Sequence, residues 1–226
     1  MTVLRQISLL ALKDLRIEAR SRQTVGLVVV LGILIVTVLG LGLNLNPQSG
    51  TQAAAATGVL WVAYLFAGVL CFEKTMGLER QDGALAGLLL APIDRGVIYA
   101  GKLISNLTLM FAVAAVITPV GILFFGFDLS AHPFAFIGIM ALSMVGFAAV
   151  GTLFSALVSS SRLQGGLLAM VVFPISLPLV ISSTQITSRL YQAGATVDGK
   201  AFAVLLAFDL IFLVVSWIAF EWVIEP

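Results

Sequence analysis

One histidine, one cysteine and a charged fraction of only 10% are the scarcities that bound this sequence of 226 residues. A lone Cys71 excludes a disulfide framework and a cysteine-based metal site, and a single His132 excludes a histidine cluster. A formal net charge of +1 carries no signature of a nucleic-acid partner or an acidic substrate. What is abundant is apolar surface: 60% of the residues are hydrophobic and the mean hydropathy is +1.12. Soluble domains are about 45–50% apolar and about 25% charged. No soluble fold of this length hides so much apolar surface, so lipid is the solvent for most of the chain.

Hydrocarbon about 30 Å thick requires about 20 predominantly apolar residues in a helix. Runs of that kind occupy 25–43, 53–72, 100–126, 134–158, 165–186 and 201–222. None alternates polar and apolar residues as a barrel strand does, which leaves helices as the spanning structure. The expectation is an all-α membrane protein. Residues 1–23 form an amphipathic interfacial helix, and 24–226 form a six-helix transmembrane domain with a connecting segment at about 73–96. The first run, Thr24 to Leu43, is longer than the 7–15 residues of a signal-peptide core and follows a long charged segment. It reads as a retained span.

Ten of the twelve basic residues fall on one side of this arrangement. They are Arg5, Lys13, Arg16, Arg20 and Arg22 before the first span, Lys74, Arg80, Arg95 and Lys102 in the loop after span two and the start of span three, and Arg162 between four and five. Only Arg189 and Lys200 fall opposite. The positive-inside rule then places both termini in the cytoplasm. The outward links, 44–52, 127–133 and 187–200, are too short to form an outer domain.

At 100° per residue, Arg5, Lys13, Arg16 and Arg20 share an arc of about 80°, opposite Val3, Leu4, Ile7, Leu10, Ala11 and Leu15. This is the pattern of a helix at the membrane surface with its cations toward anionic headgroups. Asp14 and Glu18, one turn apart, fall on the apolar side. Either that face docks on protein, or Glu18 pairs with Arg22 at i,i+4 on an ordinary interfacial helix.

Between spans two and three, Asp82 is a candidate helix cap, Leu85, Leu88 and Leu89 share a face, and Pro92 stops the helix. A short helix of this kind either plugs into a cleft on another protein or lies on the membrane. Nearby, Gly96 to Leu103 matches G-x-x-x-x-G-K but has leucine where a phosphate loop requires serine or threonine for Mg²⁺. The string also enters a span instead of following a strand, so ATP binding is not expected of it.

Within the spans, Pro174 and Pro178 each remove a backbone donor, which predicts a kink or break. Ser176, Ser182, Ser183 and Thr184 are available to satisfy freed carbonyls. The two prolines mark either a hinge or pathway element or a purely structural kink, and Pro119 has the same reading. Gly146, Gly151, Ser155 and Ser159 supply small residues for close helix packing. Asp209 is the one carboxylate well inside a span, a functional candidate or a partnered acid. His132, before Pro133, reads as a solvated loop residue more readily than as a heme or metal ligand.

Taken together these residues resemble the heme exporter protein B family, the membrane permease of the cytochrome c maturation ABC system. The likeness rests on Lys13-Asp14-Leu15-Arg16, Arg20-Ser21-Arg22, Trp61, Glu79-Arg80-Gln81-Asp82-Gly83-Ala84-Leu85, Leu88-Leu89-Leu90-Ala91-Pro92, Gly101-Lys102 and Phe173-Pro174 through Pro178 to Ile181. It covers nearly the whole chain in order. It implies a type-2 exporter-like permease, not itself an enzyme, in the bacterial inner membrane. It also implies a cytoplasmic ABC ATPase subunit, heme-handling membrane proteins and a periplasmic heme chaperone as partners, with heme as possible cargo. By analogy with half-transporters, two copies are expected. A coupling role toward the ATPase is carried onto Glu79, Asp82, Gly83, Leu85, Leu88, Leu89 and Pro92. No heme ligand stands out, which favours chaperone release over heme passage. Two other readings stay open: a type-2 exporter permease for a lipid, glycan or drug, and a secondary transporter built around Asp209.

Overall fold

The computed structural model describes residues 2–21, 23–43, 50–81, 87, 93–126, 132–159, 164–190 and 199–223. Backbone alone is described for 21, 23, 24, 50–53, 74–81, 159, 164 and 165. Among these residues all regular structure is helical. The elements are α1 (Val3–Ser21), α2 (Gln23–Gly42), α3 (Gly50–Gln81), α4 (Arg95–Phe125), α5 (Pro133–Ser159), α6 (Gln164–Leu190) and α7 (Gly199–Val223). The six helices α2 to α7 are long and apolar enough to cross a membrane.

The most enclosed of the six is α3, which packs against α2, α4, α5 and α6. Its buried side chains include Trp61, Tyr64 and Phe72. Hydrocarbon offers apolar helices no incentive to prefer one another over lipid, so close packing and hydrogen bonds must hold them together. Both are present around α3. The Trp61 indole donates to Thr187 Oγ1 of α6 at 3.1 Å. Tyr64 lies 2.6 Å from Thr118 Oγ1 of α4, whose own hydrogen goes to the Ala114 carbonyl, so Tyr64 is the donor. Gly151 of α5 leaves room for the ring of Phe72, and any side chain there would collide with it. Ser155, one turn on, is buried and donates to the Thr152 carbonyl of its own helix. The small residues of α5 are thus packing residues. A further tie joins α4 to α5, where Asn106 Nδ2 donates to Thr152 Oγ1 at 2.9 Å.

Three features depart from the sequence reading. The third span begins at Arg95, earlier than residue 100, because Asp94 caps it by accepting from Gly96 N at 3.0 Å. At its other end Gly126 adopts φ 63° and closes the helix on the Ile122 carbonyl. Second, α3 runs past its apolar stretch as far as Gln81, so the first part of the connecting segment continues a span. Third, α6 is continuous from Gln164 to Leu190 through Pro174 and Pro178, and α4 passes Pro119 in the same way. Of the expected kink or break, the break does not occur. Neighbouring helices at this depth hold a helix together despite missing donors. Nor does Ser183 serve a freed carbonyl: it donates to Leu179 at 2.7 Å, while lying 2.6 Å from Ser143 of α5.

Because Gly151 has no room for a methyl group, Gly151→Ala is expected to destabilise the protein by about 1–3 kcal/mol. Adding Phe72→Leu to Gly151→Ala is expected to recover part of the loss. Thermal unfolding in detergent of the two single variants and the double variant measures this. Equal losses that simply add would refute the contact.

Candidate functional site

The polar chemistry that the sequence flagged collects in two places, the docking site of α1 and the middle of the α5–α6–α7 wall. A single residue joins α1 to α2, yet α1 rests chiefly on α4. Its seated face carries Ile7, Leu10, Ala11, Asp14 and Glu18, a helical stripe at i, i+3, i+4, i+7 and i+11. Gly101 makes the approach possible, since a Cβ there would lie 2.8 Å from Leu10 Cβ. One residue further, the Lys102 ammonium, only 3% exposed, lies 2.9 Å from Asp14 Oδ2. Ser105 Oγ is 3.4 Å from the same oxygen, and Lys13 also approaches Asp14.

The G-x-x-x-x-G-K string is therefore a helix-packing surface. All of it lies within the first turns of α4. Gly96 makes room for Trp217 of α7, Gly101 admits α1, and Lys102 neutralises Asp14. Near the same end, Tyr99 packs edge-on against Trp217, and Arg95 donates to the Glu221 carbonyl at 3.1 Å. Glu18 is buried to 8% exposure on the seated face of α1. Arg22, its alternative partner, lies outside the described residues. The remaining interfacial residues, Arg16 and Arg20, are exposed.

The second locus is Asp209 of α7, which is 3% exposed. Neither carboxylate oxygen has a hydrogen-bond partner among the described residues. It points at Gly146 of α5, in a notch it shares with Leu179 of α6. Leu179 directly follows Pro178, so the carboxylate abuts the stretch of α6 that lacks two backbone donors. Ser176, between the prolines, is buried and its hydroxyl has no partner among the described residues. Sequence reasoning singled out Asp209, both prolines and, as a packing residue, Gly146, but had no signal that Gly146 faces Asp209, because contacts between spans leave no local periodicity. His132 stands exposed at the start of α5.

Of the coupling residues, Glu79 lies on the extension of α3, where only its backbone is described. Asp82, Gly83, Leu85, Leu88, Leu89 and Pro92 lie outside the described residues. In sequence their segment joins the end of α3 to the start of α4.

The family described as CcmB protein matches residues 5–225. The chain belongs to the CcmB protein family. Among curated proteins it is similar to heme exporter protein B of Paracoccus denitrificans, with 28% identity over 80% of this chain and 81% of that one. It is similar to heme exporter protein B of Rhodobacter capsulatus at 24% identity, covering 78% of this chain and 80% of that one. The protein of the same name from Bradyrhizobium diazoefficiens is 25% identical over 93% of each chain. The matched region takes in all six spans and α1 from Arg5 onward.

The Asp14–Lys102 pair yields a test. Lys102→Met leaves Asp14 at the α1–α4 seam with only the more exposed Lys13 as counter-charge, at an expected cost of about 3 kcal/mol, the low end for a broken buried pair. Hydrogen exchange over residues 3–21 is expected to accelerate. In Asp14→Leu/Lys102→Met, apolar packing replaces the pair and protection is expected to return. Unchanged exchange in the single variant would mean that the ion pair does not hold α1.

Proposed function

We propose that this chain is the membrane component of a heme-export system and, more finely, the permease subunit of an ABC transporter of cytochrome c maturation. In this reading it hydrolyses nothing itself. A separate cytoplasmic ATPase supplies the energy, for export of heme or for release of a heme-loaded chaperone. The observation that carries it is the family match over residues 5–225 of a chain with six helices fit to span a membrane. The relatives' names supply heme export.

Geometry supports the coupling role of one membrane side. On that side α3 continues to Gln81, the segment with Asp82, Gly83, Leu85, Leu88, Leu89 and Pro92 follows, and α1 sits on the first turns of α4. Nine of the twelve basic residues belong to α1, to the stretch between α1 and α2, or to the α3–α4 region. With Arg95 and Lys102 counted among them, this side is the basic one, which supports a cytoplasmic assignment in the bacterial inner membrane with both termini inside. We assign ATPase contact to Glu79 and the segment that follows it. Pro174, Pro178 and Asp209 are assigned to the moving part of the pathway: a buried carboxylate with no partner among the described residues, beside a helix short of two hydrogen bonds, is a costly arrangement in hydrocarbon. Two copies of the chain per complex complete the proposal.

The test is affinity purification of the tagged protein from its native membrane in mild detergent. An ATPase subunit with cytochrome c maturation proteins is expected to come with it. Glu79→Lys/Asp82→Lys is expected to reduce ATPase recovery, or the dependence of ATP hydrolysis on this subunit, by at least tenfold. Absence of any ATPase under conditions that preserve known complexes refutes the coupling assignment. Transport that proceeds without ATP and is lost in Asp209→Asn would establish a carrier built on that carboxylate.

A further inference from the structure

The two faces of α1 have different fates. One is seated on α4 through Ile7, Leu10, Ala11, Asp14 and Glu18. On the other, Arg5, Leu9, Leu12, Arg16 and Arg20 fall within an arc of about 80° at 100° per residue. All five are exposed, with Leu9 at 48% and Leu12 at 43%. No acidic residue of α1 lies in that arc: Asp14 faces Lys102 of α4 and Glu18 is buried one turn further on. The cations are thus interleaved with leucines, an arrangement the helical wheel of the sequence obscured by assigning each kind of residue to its own side.

Depth decides what meets this face. α4 has 31 residues, about 46 Å of helix, against a hydrocarbon thickness of about 30 Å. Shared equally between the two ends, the excess of about 16 Å puts the acyl boundary near residue 100. The seat of α1, Gly101 to Ser105, lies at that boundary. A helix held there has headgroups beside it. Leucines that enter the acyl edge and arginines that reach back to phosphates are the two halves of an interfacial lipid contact. An acidic protein surface would satisfy the arginines and leave Leu9 and Leu12 without apolar surroundings.

We propose that the outer face of α1 is a binding surface for anionic phospholipid headgroups, with Arg5, Arg16 and Arg20 on the phosphates and Leu9 and Leu12 in the acyl edge. The Asp14–Lys102 pair then has a second consequence. By turning both carboxylates of α1 away from the lipid, it leaves a surface of one sign.

The test uses the full chain with Leu12→Cys carrying an environment-sensitive fluorophore. The native Cys71 is buried and does not compete for the label. The protein is reconstituted in vesicles of phosphatidylcholine alone or with phosphatidylglycerol. Emission is expected to shift to the blue when phosphatidylglycerol is present and to return at high salt. The preference for the anionic lipid is expected to fall about fivefold for each cation removed in Arg5→Gln, Arg16→Gln and Arg20→Gln. A label at Leu210→Cys, which is exposed within α7, reports whether each variant is folded in the bilayer and is expected not to respond to the anionic lipid. Emission at position 12 that is indifferent to phosphatidylglycerol overturns the proposal, as does a preference that survives in the triple variant. A shift that requires a co-purified protein in place of the anionic lipid also overturns it, in favour of a protein surface.

Discussion

Lipid solvates an apolar helix as well as another apolar helix does, so this bundle depends on what lipid cannot provide: close steric fit and partners for polar groups. The central helix α3 shows both. Phe72 enters the space left by Gly151, and the indole of Trp61 and phenol of Tyr64 find hydroxyls on two different neighbours, Thr187 and Thr118. Each such bond fixes rotation about the helix axis as well as distance, because a hydroxyl one residue away would face elsewhere. Trp61 and Tyr64 stand one turn apart with their rings edge to face at 5.4 Å, so the orientations of α4 and α6 around α3 are set together. The arrangement of α5 then follows from Gly151 and from Asn106–Thr152.

That same constraint explains which parts of the fold were legible in the sequence. Spans are legible because bilayer thickness sets their length and no other solvent suits them. The start of α4 was misplaced because Arg95 read as a loop charge, although Asp94 carried a usable capping signal two residues before Gly96. Lys102 is charged and nearly fully buried, a combination that becomes intelligible only when Asp14 arrives from a helix 88 positions earlier in the chain. The anomaly was visible from the other partner: Asp14 lay on the apolar side of α1, where a carboxylate has no place without a cation. At the prolines only the break that the sequence allowed is absent. The rule that proline breaks helices comes from water, where the alternative conformations are solvated, and hydrocarbon removes that alternative.

Asp209 presents the opposite case. Its type and depth made it conspicuous in sequence, and its surroundings were not legible at all. Gly146, Leu179 and Phe208 define the notch, and they come from α5, α6 and α7. A glycine opposite a buried carboxylate does not itself neutralise it; it only supplies volume. The same glycine brings α5 close to α6 beside Pro178, where α6 has fewer backbone bonds to resist displacement. Rigid packing and reduced internal bonding therefore meet at one level of the bundle.

At the other end of the molecule, covalent order and packing order disagree, and the disagreement has mechanical meaning. α1 is joined to α2 by one residue but is seated on α4, and the segment after α3 also ends at α4, at the Asp94 cap. A force applied to either element reaches the first turns of α4. Those turns carry little freedom to absorb it: Gly96 is against Trp217, Gly101 against Leu10, and Arg95 is bonded to the end of α7. Displacement is therefore passed on to α7, the helix that carries Asp209, without requiring a wire of side chains through the membrane. If the segment around Glu79 is where an ATPase pushes, the push reaches the first turns of α4 and, through Trp217 and Glu221, the end of α7.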